Sequence, residues 1–207
     1  MANPVTYRRR DTPFAQIGGA VGLDLMNTMS ERLALDRIVD YLVDYDEVVR
    51  FAVESGLVDA AQETVLHGLS VQHPDEAAAE WERVRELREA LYAACYEGGP
   101  TDLVAREHAE AAAAGMLARG GDGWGWSFDV DLALPRRRLA LAAVELLLRD
   151  DLDRLAQCAD AECGWVFLDT SPRHNRRWCV ASDCGNRNRV REFYARRQAA
   201  GAGASAG

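Results

Sequence analysis

Lysine is missing from this sequence: all 24 basic residues are arginine. Beside so many alanines, that bias reads as the coding habit of a GC-rich bacterial genome rather than as function. Also missing is any apolar run of transmembrane length, so no membrane span is expected. The first ten residues hold three consecutive arginines but no apolar h-region, so no secretory signal is expected and a reducing cytoplasm is the expected compartment. No nucleophile elbow, phosphate loop, dinucleotide fingerprint or metalloprotease helix occurs. The four histidines (His67, His73, His108 and His174) stand without ligand-like spacing to one another. An enzyme is therefore not expected. No Gly/Ser-rich linker interrupts the chain, so its parts are expected to pack together rather than to be tethered.

What is present is cysteine in a pattern. Cys158 and Cys163 are separated by four residues, Cys179 and Cys184 by four, and the two pairs by fifteen. Two disulfides or four unrelated thiols are the alternatives to a metal site. In a reducing compartment paired cysteine turns favour one structural zinc ion, which takes four thiolates tetrahedrally at about 2.3 Å. A closed four-thiolate shell leaves no open position for water, a second argument against catalysis. Cys95 lies apart, on the apolar face of an expected helix, and reads as a buried structural thiol.

Charge is divided unevenly. Residues 171–198 hold eight arginines against Asp183 and Glu192, a balance of +6, so the rest of a chain of net charge −9 carries about −15. Four thiolates with one zinc ion contribute −2, which nearby arginines partly neutralise. The arginines are read either as a solvated helix with no partner or as a phosphate-contacting surface, and the contrast with the acidic body favours the second.

Periodicity predicts a mainly α chain with a few short β-strands (α+β). Phe14–Ile17 suggests a short strand. Helices are expected over 36–56, from Asp59 to about Leu69, from His73 to about Gly98, from Thr101 to about Ala118, and from Leu134 to near Arg149. Trp124–Val130 alternates as a strand, its tryptophans serving as core, exposed edge or ligand-stacking groups. A short helix, Leu152–Gln157, should lead into the first cysteine. Residues 164–178 read as strand, turn, strand, a zinc-held β-hairpin followed by a helix that begins at Asn186. On that helix Val190, Phe193 and Tyr194 share a face expected to pack on the hairpin bearing Trp165 and Phe167. The tail 199–207, alanine and glycine with one serine, is expected to be disordered.

These residues carry a resemblance. Cys184-Gly185-Asn186-Arg187, preceded by Cys163-Gly164-Trp165-Val166-Phe167-Leu168-Asp169-Thr170-Ser171 and by Arg176-Arg177-Trp178-Cys179, resembles the CGNR zinc finger. Gly22-Leu23-Asp24-Leu25-Met26-Asn27-Thr28 is similar to the ABATE domain that accompanies it. Together they divide the chain into an α-rich domain, 1–152, packed against a small finger, 153–198. The resemblance implies a bacterial stress-induced transcription regulator whose finger binds double-stranded DNA, with the N-terminal domain dimerising or sensing a small-molecule effector. The alternative is a zinc-stabilised protein-interaction or small-molecule-sensing module without DNA contact.

Cys158, Cys163, Cys179 and Cys184 would be the ligands. Arg173, Arg176 and Arg177 in the hairpin, and Arg187, Arg189, Arg191, Arg196 and Arg197 in the helix, are the candidate nucleic-acid contacts. Arg187 is also read as donating to a zinc-bound thiolate or to Asp169. Glu192 stands where the resemblance leads one to expect a cation. Asp24 and Asn27 either line a ligand pocket or form a buried polar pair that satisfies backbone groups.

Overall fold

Asp44 and Asp59 start two helices by accepting backbone N–H groups that the first turn leaves without partners. Asp44 takes Glu47 N and begins α2 (Tyr45–Glu54); Asp59 takes Ala61 N and Gln62 N, and Gln62 reaches back in a capping box to begin α3 (Ala60–Gln72). Proline stands in the first turn of both α4 (Pro74–Tyr96) and α6 (Leu134–Leu147), where its missing N–H costs nothing. With α1 (Val21–Met26) and α5 (Asp102–Ala114) these helices form the body, and its core gathers Leu23, Leu25, Phe51, Leu87, Leu91, Leu139 and Leu146. The computed structural model describes residues 5–9, 11–120 and 123–204. Among them no helix is long and apolar enough to cross a membrane.

The mainly α architecture with short strands is as expected. Strands β1 (Thr6–Tyr7), β2 (Met29–Ser30) and β3 (Val39–Asp40) form a sheet of order β1-β3-β2, parallel between β1 and β3 and antiparallel between β2 and β3. β4 (Met116–Gly120) and β5 (Gly123–Ser127) form an exposed antiparallel hairpin that leaves Trp124 and Trp126 at an open edge. β6 (Leu155–Gln157) and β7 (Val166–Leu168) pair antiparallel beside the cysteines.

Several boundaries differ from the sequence reading. Residues 36–44 are not helical, because β3 pairs with both neighbours and the Asp40 carboxylate takes Leu42 N and two bonds from Arg88. Phe14–Ile17 is not a strand: the Asp24 carboxylate accepts Ile17 N and Gly18 N, which keeps them from a ladder. α5 ends at Ala114, before Gly115, and Met116 opens a strand. Only a 3₁₀ turn, Leu152–Arg154, precedes β6, so the strand that pairs with β7 lies before the first cysteine rather than after the turn at 170–172. The Asp169 carboxylate accepts Ser171 N and Arg176 N and holds the intervening residues as a loop. The last helix, α7 (Asn186–Ala204), carries helical backbone into the tail expected to be disordered, since alanine propagates a helix already nucleated; residues 205–207 lie outside the described residues.

Ionic groups inside the body are paired. Arg88 and Asp40 are both fully buried and joined by bonds of 2.7 and 2.8 Å. Arg136, equally buried, takes Glu80, Glu107 and Glu110. Cys95 is half-buried against the core, and burial pushes its thiol up to about 11, away from nucleophile chemistry.

Candidate metal centre

Four short pieces of backbone converge on one small volume. Cys158 follows β6, and Cys163 precedes β7 across Gly164, whose φ of +72° suits glycine. A Cβ on Gly164 would stand 2.7 Å from the Cβ of Arg32, so the body presses directly on the first turn. Cys179 ends the loop after β7, and Cys184 sits in a π-type turn, Ala181–Gly185, that runs into α7. There Gly185 admits the Trp178 ring, which a Cβ would meet at 3.0 Å.

All four cysteines are buried, and their sulfurs lie within 4.8 Å of one another. Cys163 and Cys179 are 3.7 Å apart at sulfur and Cys179 and Cys184 3.5 Å. Tetrahedral ligands at about 2.3 Å from zinc have sulfurs about 3.8 Å apart, whereas a disulfide needs about 2.05 Å. The geometry therefore fits one zinc ion and no disulfide. Hydrogen bonds among the sulfurs push the Cys158 thiol down and the Cys163 and Cys179 thiols up, and burial pushes up Cys184; a divalent cation offsets the cost of charging all four in one buried volume.

Around the sulfurs lies a second layer. Arg187 donates to Cys184 Sγ at 3.1 Å and to Asp160 at 3.1 Å. One of the two expected acceptors, the thiolate, is therefore in place; Asp160 stands where Asp169 was the other. Asp160 is fully buried and also accepts from Asn188 at 2.6 Å, Arg191 at 3.3 Å and Glu162 N at 3.0 Å. Burial works against its charge, but the Glu162 N–H and the nearby guanidiniums hold it below the usual carboxylate range. Sequence reasoning missed this residue. An acidic side chain inside the first cysteine turn, facing a cationic helix, was the signal available.

The eight candidate arginines separate by their partners. Arg176 is half-buried, lies 3.9 Å over the Phe167 ring and donates to the carbonyls of Trp178 and Cys179. These contacts hold the loop, whereas the sequence reading placed Arg176 among the candidate nucleic-acid contacts. Arg191 is bound to Asp160 and Glu162, and Arg189 donates to the carbonyls of Gly185 and Ala181. Arg173, Arg177, Arg196 and Arg197 are exposed, as Arg189 and Arg191 also are; Arg177 lies 4.9 Å over Trp178, Arg197 5.6 Å over Phe193, and Arg196 stands 3.8 Å from Glu192.

The expected docking of α7 on the hairpin does not occur. Val190, Phe193 and Tyr194 are 46, 49 and 59% exposed. The reason is that both intended partners are taken: Arg176 covers Phe167, and the Trp165 indole turns to the body to donate to Met29 O at 3.0 Å.

Asp24 and Asn27 are buried and bonded to backbone groups, the second of the two roles the sequence offered them. Asn27 accepts Val166 N at 2.8 Å and donates to Val166 O at 2.9 Å, pinning β7 to the body. Arg32 N to Cys163 O, Leu33 N to Glu162 O and Leu168 N to Gly18 O extend this seam. Body and finger are packed together, as the missing linker led one to expect.

Two family models match successive parts of the chain. Residues 154–197 match the CGNR zinc finger. Residues 19–150 match ABATE, described as "Putative stress-induced transcription regulator". No curated protein matches the chain. The chain thus belongs to the ABATE family and bears, after that domain, a CGNR zinc finger built on Cys158, Cys163, Cys179 and Cys184.

Proposed function

We propose that the protein is a zinc-dependent DNA-binding transcription regulator of the bacterial cytoplasm that meets double-stranded DNA with its finger foremost. One observation carries this reading: the exposed cations Arg173, Arg177, Arg196 and Arg197 sit on a segment, 171–198, of +6, in a chain whose body, 1–152, carries −12. A duplex is repelled by such a body and attracted only by the finger, which orients the encounter. Zinc has a structural part, since it fixes the turn from which α7 departs. In this reading the protein is not an enzyme.

The body dimerises or senses an effector. The test is recovery of DNA bound to the protein in its native cell. Enrichment at discrete promoters, lost when Cys179 is replaced by serine, is the expected result. Recovery no better than that of an unrelated acidic protein would move the reading to a protein-interaction module.

A further inference from the structure

The stripe that α7 leaves uncovered has its own chemistry. Val190, Phe193, Tyr194 and Arg197 recur at helical spacing and share one side of the helix, with Arg189 and Arg196 along a flank. The Phe193 and Tyr194 rings meet edge to face at 5.6 Å, and the Arg197 guanidinium stands over Phe193. Both rings are about half exposed, although apolar groups of this size are usually covered when a partner is available.

The missing partner must supply negative charge and flat apolar faces together. Residues 186–198 hold five arginines against Glu192, so a second α7 brought onto the first would set like charges side by side. An intact duplex offers phosphates but keeps its bases stacked inside. A strand with bases out of the stack offers both on every nucleotide, and aromatic rings flanked by arginine are the surface that takes such bases.

We propose that Phe193 and Tyr194 form a base-stacking site for unpaired nucleobases, so that the protein holds single-stranded or locally opened DNA more tightly than closed duplex of the same sequence. This rests on the nucleic-acid reading above and adds a preference to it. The arginines hold phosphates on either form; the rings distinguish them. An opened stretch at a promoter is then the favoured site.

The test uses the zinc-loaded full chain with three labelled probes of one sequence: a closed duplex, the same duplex with an unpaired internal bubble, and the single strand. The expected result is binding to the bubble and the single strand on the order of tenfold tighter than to the duplex, as stacking of one base supplies. Phe193→Ala with Tyr194→Ala should abolish that preference while leaving duplex affinity and zinc content unchanged. Phe193→Leu with Tyr194→Leu keeps apolar bulk but removes the ring faces, and it should lose the preference as well. Retention of the full preference by the leucine variant overturns stacking. Equal, salt-dependent binding of all three probes overturns the inference and leaves the DNA reading standing. Binding to none of them overturns both. Self-association without DNA that disappears on Phe193→Ala assigns the stripe to a second copy and overturns the proposal.

Discussion

Arginine serves opposite purposes in the two halves of this protein. In the body Arg88 and Arg136 are fully buried, each locked to carboxylates, and Arg83 bridges Glu107 and Glu110 at the edge of the same network. In the finger, arginines outnumber acids eight to two over residues 171–198, and those that are engaged bond to carbonyls, to the Cys184 sulfur or to acids of the first cysteine turn. A cation's role is therefore set by the supply of partners around it. Counting charge in the sequence overstates the free cations of the finger, because Arg176, Arg187 and Arg191 are spoken for.

The halves also differ in what holds them. The body has an extended apolar core, whereas the finger packs Phe167 among four cysteines and depends on metal. Cys179→Ser breaks this contrast most severely. Zinc content should fall from one equivalent to near zero, and α7 should become protease-sensitive, since structural zinc contributes about 10 to 16 kcal/mol in isolated fingers. Because Val166 and Leu168 belong to the body's core, the body should stay helical by circular dichroism yet melt several degrees lower. An unchanged zinc content would contradict the site.

Next in size is the arginine contrast itself. Arg88→Met leaves Asp40 buried and unpaired and should cost about 3 to 5 kcal/mol in urea unfolding. Arg177→Ala, exposed, should change stability by no more than about 0.5 kcal/mol. Comparable losses from the two would erase the distinction. At the seam, Asn27→Ala leaves the N–H and carbonyl of buried Val166 without partners and should cost about 2 to 3 kcal/mol while zinc is retained.

Asp24 gives the effect that depends on pH. Burial raises its pKa from 3.8 to about 6, outweighing the Gly18 and Ile17 N–H groups that favour its charge. A raised carboxyl stabilises the fold fully below its unfolded pKa and loses that contribution as pH climbs through 6. Asp24→Asn keeps an acceptor for both N–H groups without the charge. It should gain about 2 kcal/mol relative to the parent between pH 4 and 7. A difference between the two that is flat with pH would show that Asp24 stays ionised throughout.

Much of this was legible from the chain. The zinc ligands were, because four thiolates at regular spacing have few other uses, and so were the body's helices from α3 to α6, because capping and periodicity coincide at Asp59, Pro74 and Pro135. What was not legible depended on tertiary competition. Residues 36–44 have a helical pattern, but strand pairing and Arg88 claim Asp40. The α7 stripe reads as a packing face, yet Arg176 had already covered Phe167, a contact across the seven loop residues 169–175 that no local pattern reveals. Asp160 was overlooked because nothing in its immediate sequence distinguishes it from the neighbouring Glu162.

The central claim is that the exposed finger arginines contact phosphate while the engaged ones hold the fold. It is tested most directly by the salt dependence of duplex affinity. About four phosphate contacts give a slope of log affinity against log salt near −3.6, a loss on the order of 10²-fold between 50 and 200 mM. Arg173→Ala with Arg177→Ala should flatten that slope by about 2 with zinc and stability unchanged, whereas Arg176→Ala should lower the finger's melting temperature. A slope that the Arg173 and Arg177 substitutions leave unchanged would contradict the account.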